Sequence, residues 1–502
     1  MSEVIIGVDG GTTAVKAVAF TLDGEIYATH HESVPVNYGP NGEAEQDMNL
    51  IWQAVATCLK SVNDQLDGHE VVGIGLTGQG DGVWLVDEAG EPIRPAANWM
   101  DGRAGERVAA WSKDGKDAKV LEVTGTSLFS GLFPVLLEEL RENEPEVMAR
   151  AATQLYCKDW LRFKLTGERA TDFSEASRTL LDVRDASGYS EELAKALNLS
   201  DALPLLPEVR HPAGKPSPLS EEAAAQTGIP AGTPVGVGQI DVAVTGAGLG
   251  AVEDGATWLI LGTTGFVGTL LPSVAERKSD LSMVLATGND AQVLEFMAPM
   301  TGTPNLDWIR KMLGLEEADW DDIEAGARKA GPGSHGVIYL PYAAPGGERA
   351  PFLDAAASAS WQGMSLTTER EDILRSVYEG VAFSLVECIE TLEVTDDLLV
   401  SGGGFRSDLI CEILADTTGL TVVRQDAPEA GARGAAVLAL VSAGRYGTIP
   451  EAAEALGAST QTFEPNPDNH DLYREAYQLF LDTRGALRPV WPTMRALRKS
   501  AN

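Results

Sequence analysis

Cysteine is scarce in this 502-residue chain, and the four present (Cys58, Cys157, Cys388, Cys411) are widely scattered with no CxxC pair. That spacing argues against a disulfide framework or a structural zinc site and fits free thiols in a core. Basic residues are also in short supply: 38 Lys and Arg face 74 Asp and Glu, a formal net charge of −36. A field of that sign repels phosphate backbones and anionic lipid, which disfavours nucleic acid and a membrane surface as partners. No stretch approaches the roughly 20 apolar residues needed to span a bilayer. The N-terminal MSEVIIGVDGG lacks the basic region and cleavage site of an export signal and has the pattern of a strand. The cytoplasm is the expected compartment. The six histidines are scattered, and none is assigned a catalytic role.

Hydrophobic residues make up 44% of the chain, enough for substantial cores, and the length favours two domains. The first 30 residues alternate β-rich runs with turn signals: VIIGVD, GGTT, AVKAVAFTL, Asp23-Gly24, EIYATHH. This pattern predicts a β-meander whose Gly-rich turn joins two antiparallel strands, not the strand-to-helix turn of a P-loop. Half a chain later, TWLIL-GTTG-FVGTLL repeats the strand, turn, strand pattern. A helix is expected near Tyr156–Leu165, and an amphipathic one in ILRSVYEGVAFSLVECIETL. Strands DLLVSGGG and LTVVRQD then alternate with helices FRSDLICEILADTTG and ARGAAVLALVSAG, the signature of an α/β fold. PYAAPGGERAPFLD is expected to be an irregular loop near the surface.

Six segments carry candidate chemistry. In Asp9-Gly10-Gly11-Thr12-Thr13, with Lys16 on the outgoing strand, the carboxylate suits Mg²⁺ while glycine N–H groups and Thr hydroxyls suit phosphate oxygens. Gly262-Thr263-Thr264-Gly265 offers a second set of donors. Each is equally a tight turn that needs small residues. Gly402-Gly403-Gly404 before a helical segment is either a nucleotide-binding turn or close strand–helix packing. Asp241 in VGVGQIDVAVTGAGLG is either a helix cap or a general base for an attacking hydroxyl. Gln79-Gly80-Asp81 and Trp99-Met100-Asp101-Gly102-Arg103 pair hydrogen-bonding groups with an aromatic face, which suits a polyol and also suits a solvated loop.

In this order these segments resemble the FGGY family of carbohydrate kinases nearly end to end. GVDGGTTAVKAVAF is similar to the family's opening phosphate loop, and GLTGQGDG and NWMDGRA to its substrate-facing segments. KDWLRFKLTGERATDFSEASRTLLD resembles a stretch of its first domain, and QIDVAVTGAG the segment with its catalytic aspartate. LGTTG and SGGGFRSDLICEILADTTG look like its second phosphate loop and adenine-side motif, and GMSLTTEREDILRSVYEGVAF its second-domain signature.

The resemblance implies an α/β fold of two ribonuclease-H-like, actin-like ATPase domains, 1–244 and 245–490, with an interdomain cleft. It implies ATP and Mg²⁺ as cofactors and a small polyol or sugar as substrate; a homodimer is allowed. By the same resemblance Asp241 is the expected base and Asp9 the metal-associated carboxylate. Gly11, Thr12, Thr13, Lys16, Thr263, Thr264, Gly302, Gly403, Gly404 and Asp408 are expected around the nucleotide. Gln79, Gly80, Asp81, Trp99, Asp101 and Asp241 are expected around the acceptor. Glycerol kinases carry Arg-Glu where this chain has Gly80-Asp81, and Gln where it has Val242; losing the Arg is expected to enlarge the pocket. The Met-His pair of common bacterial xylulose kinases is also absent. Gln-Gly-Asp-Gly looks most like erythritol kinases, then L-xylulose kinases. Erythritol is therefore the expected acceptor, ahead of L-xylulose, D-xylulose, ribulose, a pentitol or glycerol. A non-catalytic actin-like ATPase, or a binding module that has lost transfer, are the alternatives from other classes.

Overall fold

The computed structural model describes residues 2–425 and 429–500. Met1 and Asp426, at the ends of two expected strands, lie outside the described residues. The chain forms two compact units that interleave in sequence. One takes the described parts of Met1–Asp254, Leu270–Leu294 and Ala427–Ala458; the other takes those of Gly255–Thr269, Glu295–Asp426 and Ser459–Asn502.

In the first unit, β1 (Glu3–Gly10), β2 (Ala14–Thr21) and β3 (Ile26–Ser33) form the antiparallel meander. β4 (Glu70–Gly78) adds in parallel on the other side of β1. Two-residue strands Pro234–Val235 and Gln239–Ile240 pair in parallel with β4. The alternation of β1 has a direct physical reading. Val4, Ile6 and Val8 pack in one core with α1 (Met48–Asn63), while Ile5 joins a second core with the Ala430–Ser442 helix. Each such side chain, fully buried, contributes roughly 1.5–3 kcal/mol.

The Ala430–Ser442 helix belongs to this unit because glycines let it approach the sheet. A Cβ on Gly7 would lie 1.9 Å from Ala432 O, and one on Gly75, its neighbour across β1 and β4, 1.9 Å from Ala435 O. Only backbone without side chains allows that distance.

In the second unit, β5 (Thr257–Leu261) and β6 (Gly265–Leu271) form the expected hairpin, closing at Leu261 opposite Gly265. β7 (Leu398–Ser401) runs parallel to β5, and β8 (Val422–Gln425) parallel to β7. Each unit therefore has a hairpin whose first strand is flanked by its antiparallel partner and by a later parallel strand. The long helix Arg370–Thr391 is buried on most sides, as its apolar residues require.

Two expectations change. Gly402–Gly404 leads first into a 3₁₀ turn, Gly403–Arg406, and the α-helix Asp408–Thr418 starts later with Ser407 as its cap. The irregular 341–354 segment is not simply a surface loop. Glu348 is buried there, and its carboxylate accepts N–H groups of Met300 (2.6 Å) and Arg349 (2.9 Å). Backbone donors without secondary-structure partners draw a charged acceptor inward. All four cysteines are buried and free. No helix among the described residues is long and apolar enough to cross a membrane.

Candidate active site

β1, β4 and the Gln239–Ile240 strand are mutually parallel, so Asp9, Gln79 and Asp241 all emerge at their carboxyl ends. Open α/β sheets bind ligands at that edge. The Thr77 hydroxyl donates to Gln239 O at 2.8 Å and ties the two strands together.

Asp241 opens the helix Asp241–Gly248, with Ile240 at the cap position. Its Oδ1 accepts the N–H of its own neighbour Val242 at 2.7 Å. The backbone before it is held from behind: Ile240 N–H donates to Ser174 Oγ (3.0 Å), which donates to Asp172 (2.6 Å), which pairs with buried Lys158 (2.9 Å). Burial pushes the Asp241 carboxyl up to about 7, with the negative charges of Asp9 and Asp81 adding to the effect. Asp9 is pushed up to about 6 by burial; Lys16 opposes the shift and Glu429 adds to it. Two carboxylates whose ionisation is opposed chiefly by burial form a site that favours a cation.

The surroundings fit Mg²⁺ in that role. Among the described residues there is no group of three or more metal-ligating side chains, but Mg²⁺ binds through one or two carboxylates plus substrate phosphates. Gly431 leaves room: a Cβ there would lie 3.3 Å from Asp9 Oδ2.

The hairpin turn is braced. Gln46 donates to Thr12 O at 2.9 Å and accepts from Gln79 Nε2 at 2.8 Å. Trp99 Nε1 donates to Thr12 Oγ1 at 3.0 Å. Gly11 and Thr12 are half-buried and Thr13 is exposed. The ammonium of Lys16 sits on Glu429 at 2.8 Å.

At the acceptor-facing segments, Gly80 leaves no empty space. A Cβ there would fall 2.0 Å from Ile240 Cδ1 and 3.2 Å from Glu175 Oε2, so Ile240 fills the volume that the missing Arg was expected to free. Asp81 is gripped by Arg178, Nε to Oδ1 at 2.7 Å and Nη2 to Oδ2 at 3.1 Å. Asp101 is fully buried; its carboxylate is committed to Arg103 and to the N–H of Ala44. It braces the segment from behind and offers no surface to a ligand.

In the second unit, Gly302 lies directly against the other hairpin turn: a Cβ there would meet Thr263 O at 2.3 Å and Gly262 O at 2.6 Å. Thr303 donates to Gly262 O through its N–H (2.8 Å) and its hydroxyl (3.0 Å). Thr263 is exposed and Thr264 half-buried. A Cβ on Gly404 would meet Leu261, whereas Gly403 faces open space. Asp408 pairs with Arg424 at 2.7 Å.

Gln46, Arg178 and Glu429 escaped sequence reasoning. Arg178 stands inside SEASRTLLD, and Glu429 just before the ARGAA helix; a search for the counter-charge of each site residue would have raised both.

Family models match both parts of the chain: the N-terminal domain of the FGGY family of carbohydrate kinases at residues 4–248, and its C-terminal domain at 258–443. The chain is 33% identical to the erythritol kinase of Brucella abortus (strain 2308), over 97% of each protein. It is 28% identical to the L-xylulose/3-keto-L-gulonate kinase of Escherichia coli (strain K12), over 97% of this chain and 98% of that one. Among solved structures, the ligand-bound xylulose kinase of Lactobacillus acidophilus superposes with a TM-score of 0.90 at 25% identity, covering 98% of this chain and all of that one. A carboxylate pair at strand ends and Gly-Thr-Thr hairpins in two ribonuclease-H-like units accord with these matches, and the chain belongs to the FGGY family of carbohydrate kinases, enzymes whose kinase class implies ATP as phosphoryl donor.

Proposed function

We propose that this kinase transfers the γ-phosphoryl group of ATP to a terminal hydroxyl of a small polyol, with erythritol as the preferred acceptor. The observation that carries the proposal is Asp241, a half-buried carboxylate beside Asp9 whose proton affinity lies near neutrality. A base serves best when its pKa lies close to the working pH. Asp241 takes the proton of the attacking hydroxyl, the acceptor oxygen bonds to the γ-phosphorus, and the bond to the β–γ bridging oxygen breaks to release ADP. Asp9 holds Mg²⁺, which when bound offsets charge on the phosphates. Thr12, Thr13, Thr263 and Thr264 donate to phosphate oxygens. Gln79 and Asp81 take acceptor hydroxyls, and Trp99 packs against its C–H face.

Similarity to a named erythritol kinase over nearly the full chain supports the choice of acceptor. A pentulose is the second choice, on the similarity to an L-xylulose kinase. Glycerol ranks below both, because Gly80-Asp81 and Val242 stand where glycerol kinases have Arg-Glu and Gln.

A coupled ADP-release assay across erythritol, glycerol, D- and L-xylulose, ribulose, xylitol and ribitol tests this. The highest kcat/KM is expected for erythritol. ADP release that ignores every polyol would instead mark a non-catalytic actin-like ATPase.

A further inference from the structure

The geometry points to Arg178 as a positioning residue for the acceptor: we propose that it locks the Asp81 carboxylate so that two oriented oxygens meet a vicinal diol. This rests on Asp81 being an acceptor ligand, as proposed above.

The two side chains are a planar fork against a carboxylate, 2.7 Å and 3.1 Å apart, the arrangement that fixes orientation as well as distance. Their exposures differ in a telling way. The Arg178 side chain is 1% exposed and that of Asp81 15%, so the guanidinium lies behind and the carboxylate faces outward. The remaining Arg178 nitrogen, Nη1, donates to Thr126 Oγ1 at 3.0 Å, and Phe129 lies 5.7 Å from the guanidinium carbon. The fork itself is therefore immobilised.

The main chain of Asp81 is pinned too. Its φ is +63°, in the left-handed region, and Trp84 Nε1 donates to its carbonyl at 3.2 Å. Side-chain and backbone constraints at one partly exposed carboxylate are what a preorganised ligand contact needs. A carboxylate offers about four lone-pair sites. The fork engages one on each oxygen, leaving one on each for adjacent hydroxyls.

The test is a set of variants, Arg178→Met, Arg178→Lys, Asp81→Asn and the double Asp81→Asn/Arg178→Met, assayed with the best acceptor of the polyol panel. Circular dichroism establishes which variants fold. Arg178→Met is expected to raise the acceptor KM about tenfold or more, with kcat within about threefold and the ATP KM unchanged. Arg178→Lys, which keeps the charge and loses the fork, is expected to recover part of the loss; it decides the matter alone if the Met variant does not fold. The double variant is expected to be no worse than Asp81→Asn, because Arg178 acts through that carboxylate. An unchanged acceptor KM in folded Arg178 variants, or additive losses in the double, overturns the positioning role while leaving the kinase assignment standing. An unchanged acceptor KM in Asp81→Asn removes Asp81 from the acceptor site and the role of Arg178 with it.

Discussion

The indole Nε1 of Trp99 donates to Thr12 Oγ1 at 3.0 Å, joining the acceptor-facing segment to the first phosphate hairpin. The residues stand 87 positions apart, so one hydrogen bond couples two candidate subsites. Trp99→Phe keeps an aromatic face and removes the donor. A net hydrogen bond of about 1 kcal/mol predicts roughly a fivefold loss of kcat/KM. Thr12→Val is expected to lose more, because it also removes the hydroxyl proposed to donate to phosphate, and the double variant is expected to be little worse than Thr12→Val. Steady-state kinetics over the double-mutant cycle measure this; fully additive losses would uncouple the two subsites.

Asp241→Asn is expected to lower kcat by about 10²–10⁴-fold, the range of a positioned general base, while ATP affinity by titration stays near that of the parent enzyme. Turnover close to the parent's would remove Asp241 from the base role.

The same substitution is expected to stabilise the protein. The Asp241 carboxyl is raised from 3.8 to about 7 on folding. Its ionisation therefore favours the unfolded chain, with a cost that begins near pH 4 as pH rises and is complete above pH 7. The side chain is half-buried, which moderates the effect to about 1–2 kcal/mol. A gain of a few degrees in Tm is expected at pH 8, shrinking to nothing near pH 4. Thermal scans at both pH values decide it, and a Tm gain independent of pH would point to some other origin.

The pH profile of kcat/KM for the acceptor is expected to rise with an inflection at or below pH 7 as Asp241 loses its proton, since a bound divalent cation lowers that value and never raises it. Asp241→Asn should flatten this limb. An unchanged limb in the Asn variant would assign the titration to another group.

Gly302→Ala places a methyl group 2.3 Å from Thr263 O, closer than a non-bonded carbon and oxygen can approach, so the second hairpin must shift. The ATP KM is expected to rise about tenfold or more, because small misplacements are costly to binding and transfer alike. The acceptor KM should change little. A matching rise in both would show that the hairpin serves more than the nucleotide.

The local pieces were legible in the sequence: the two Gly-Thr-Thr hairpins, the alternation of β1 and the small-residue helix at 430–442, while Asp9, Gln79, Asp81, Trp99 and Asp241 stood out as candidates through the family resemblance. Turn chemistry and side-chain periodicity act over a few residues, so they can be read without a fold. The partners came only from folding. Arg178 reaches Asp81 across 97 residues and Glu429 reaches Lys16 across 413, while Ile240 takes the space beside Gly80 and Asp101 is turned inward against Arg103. Such pairings follow from how distant elements pack. The raised proton affinity of Asp241 likewise exists only once burial and the neighbouring carboxylate are in place, because charge energies depend on surroundings that the unfolded chain does not have.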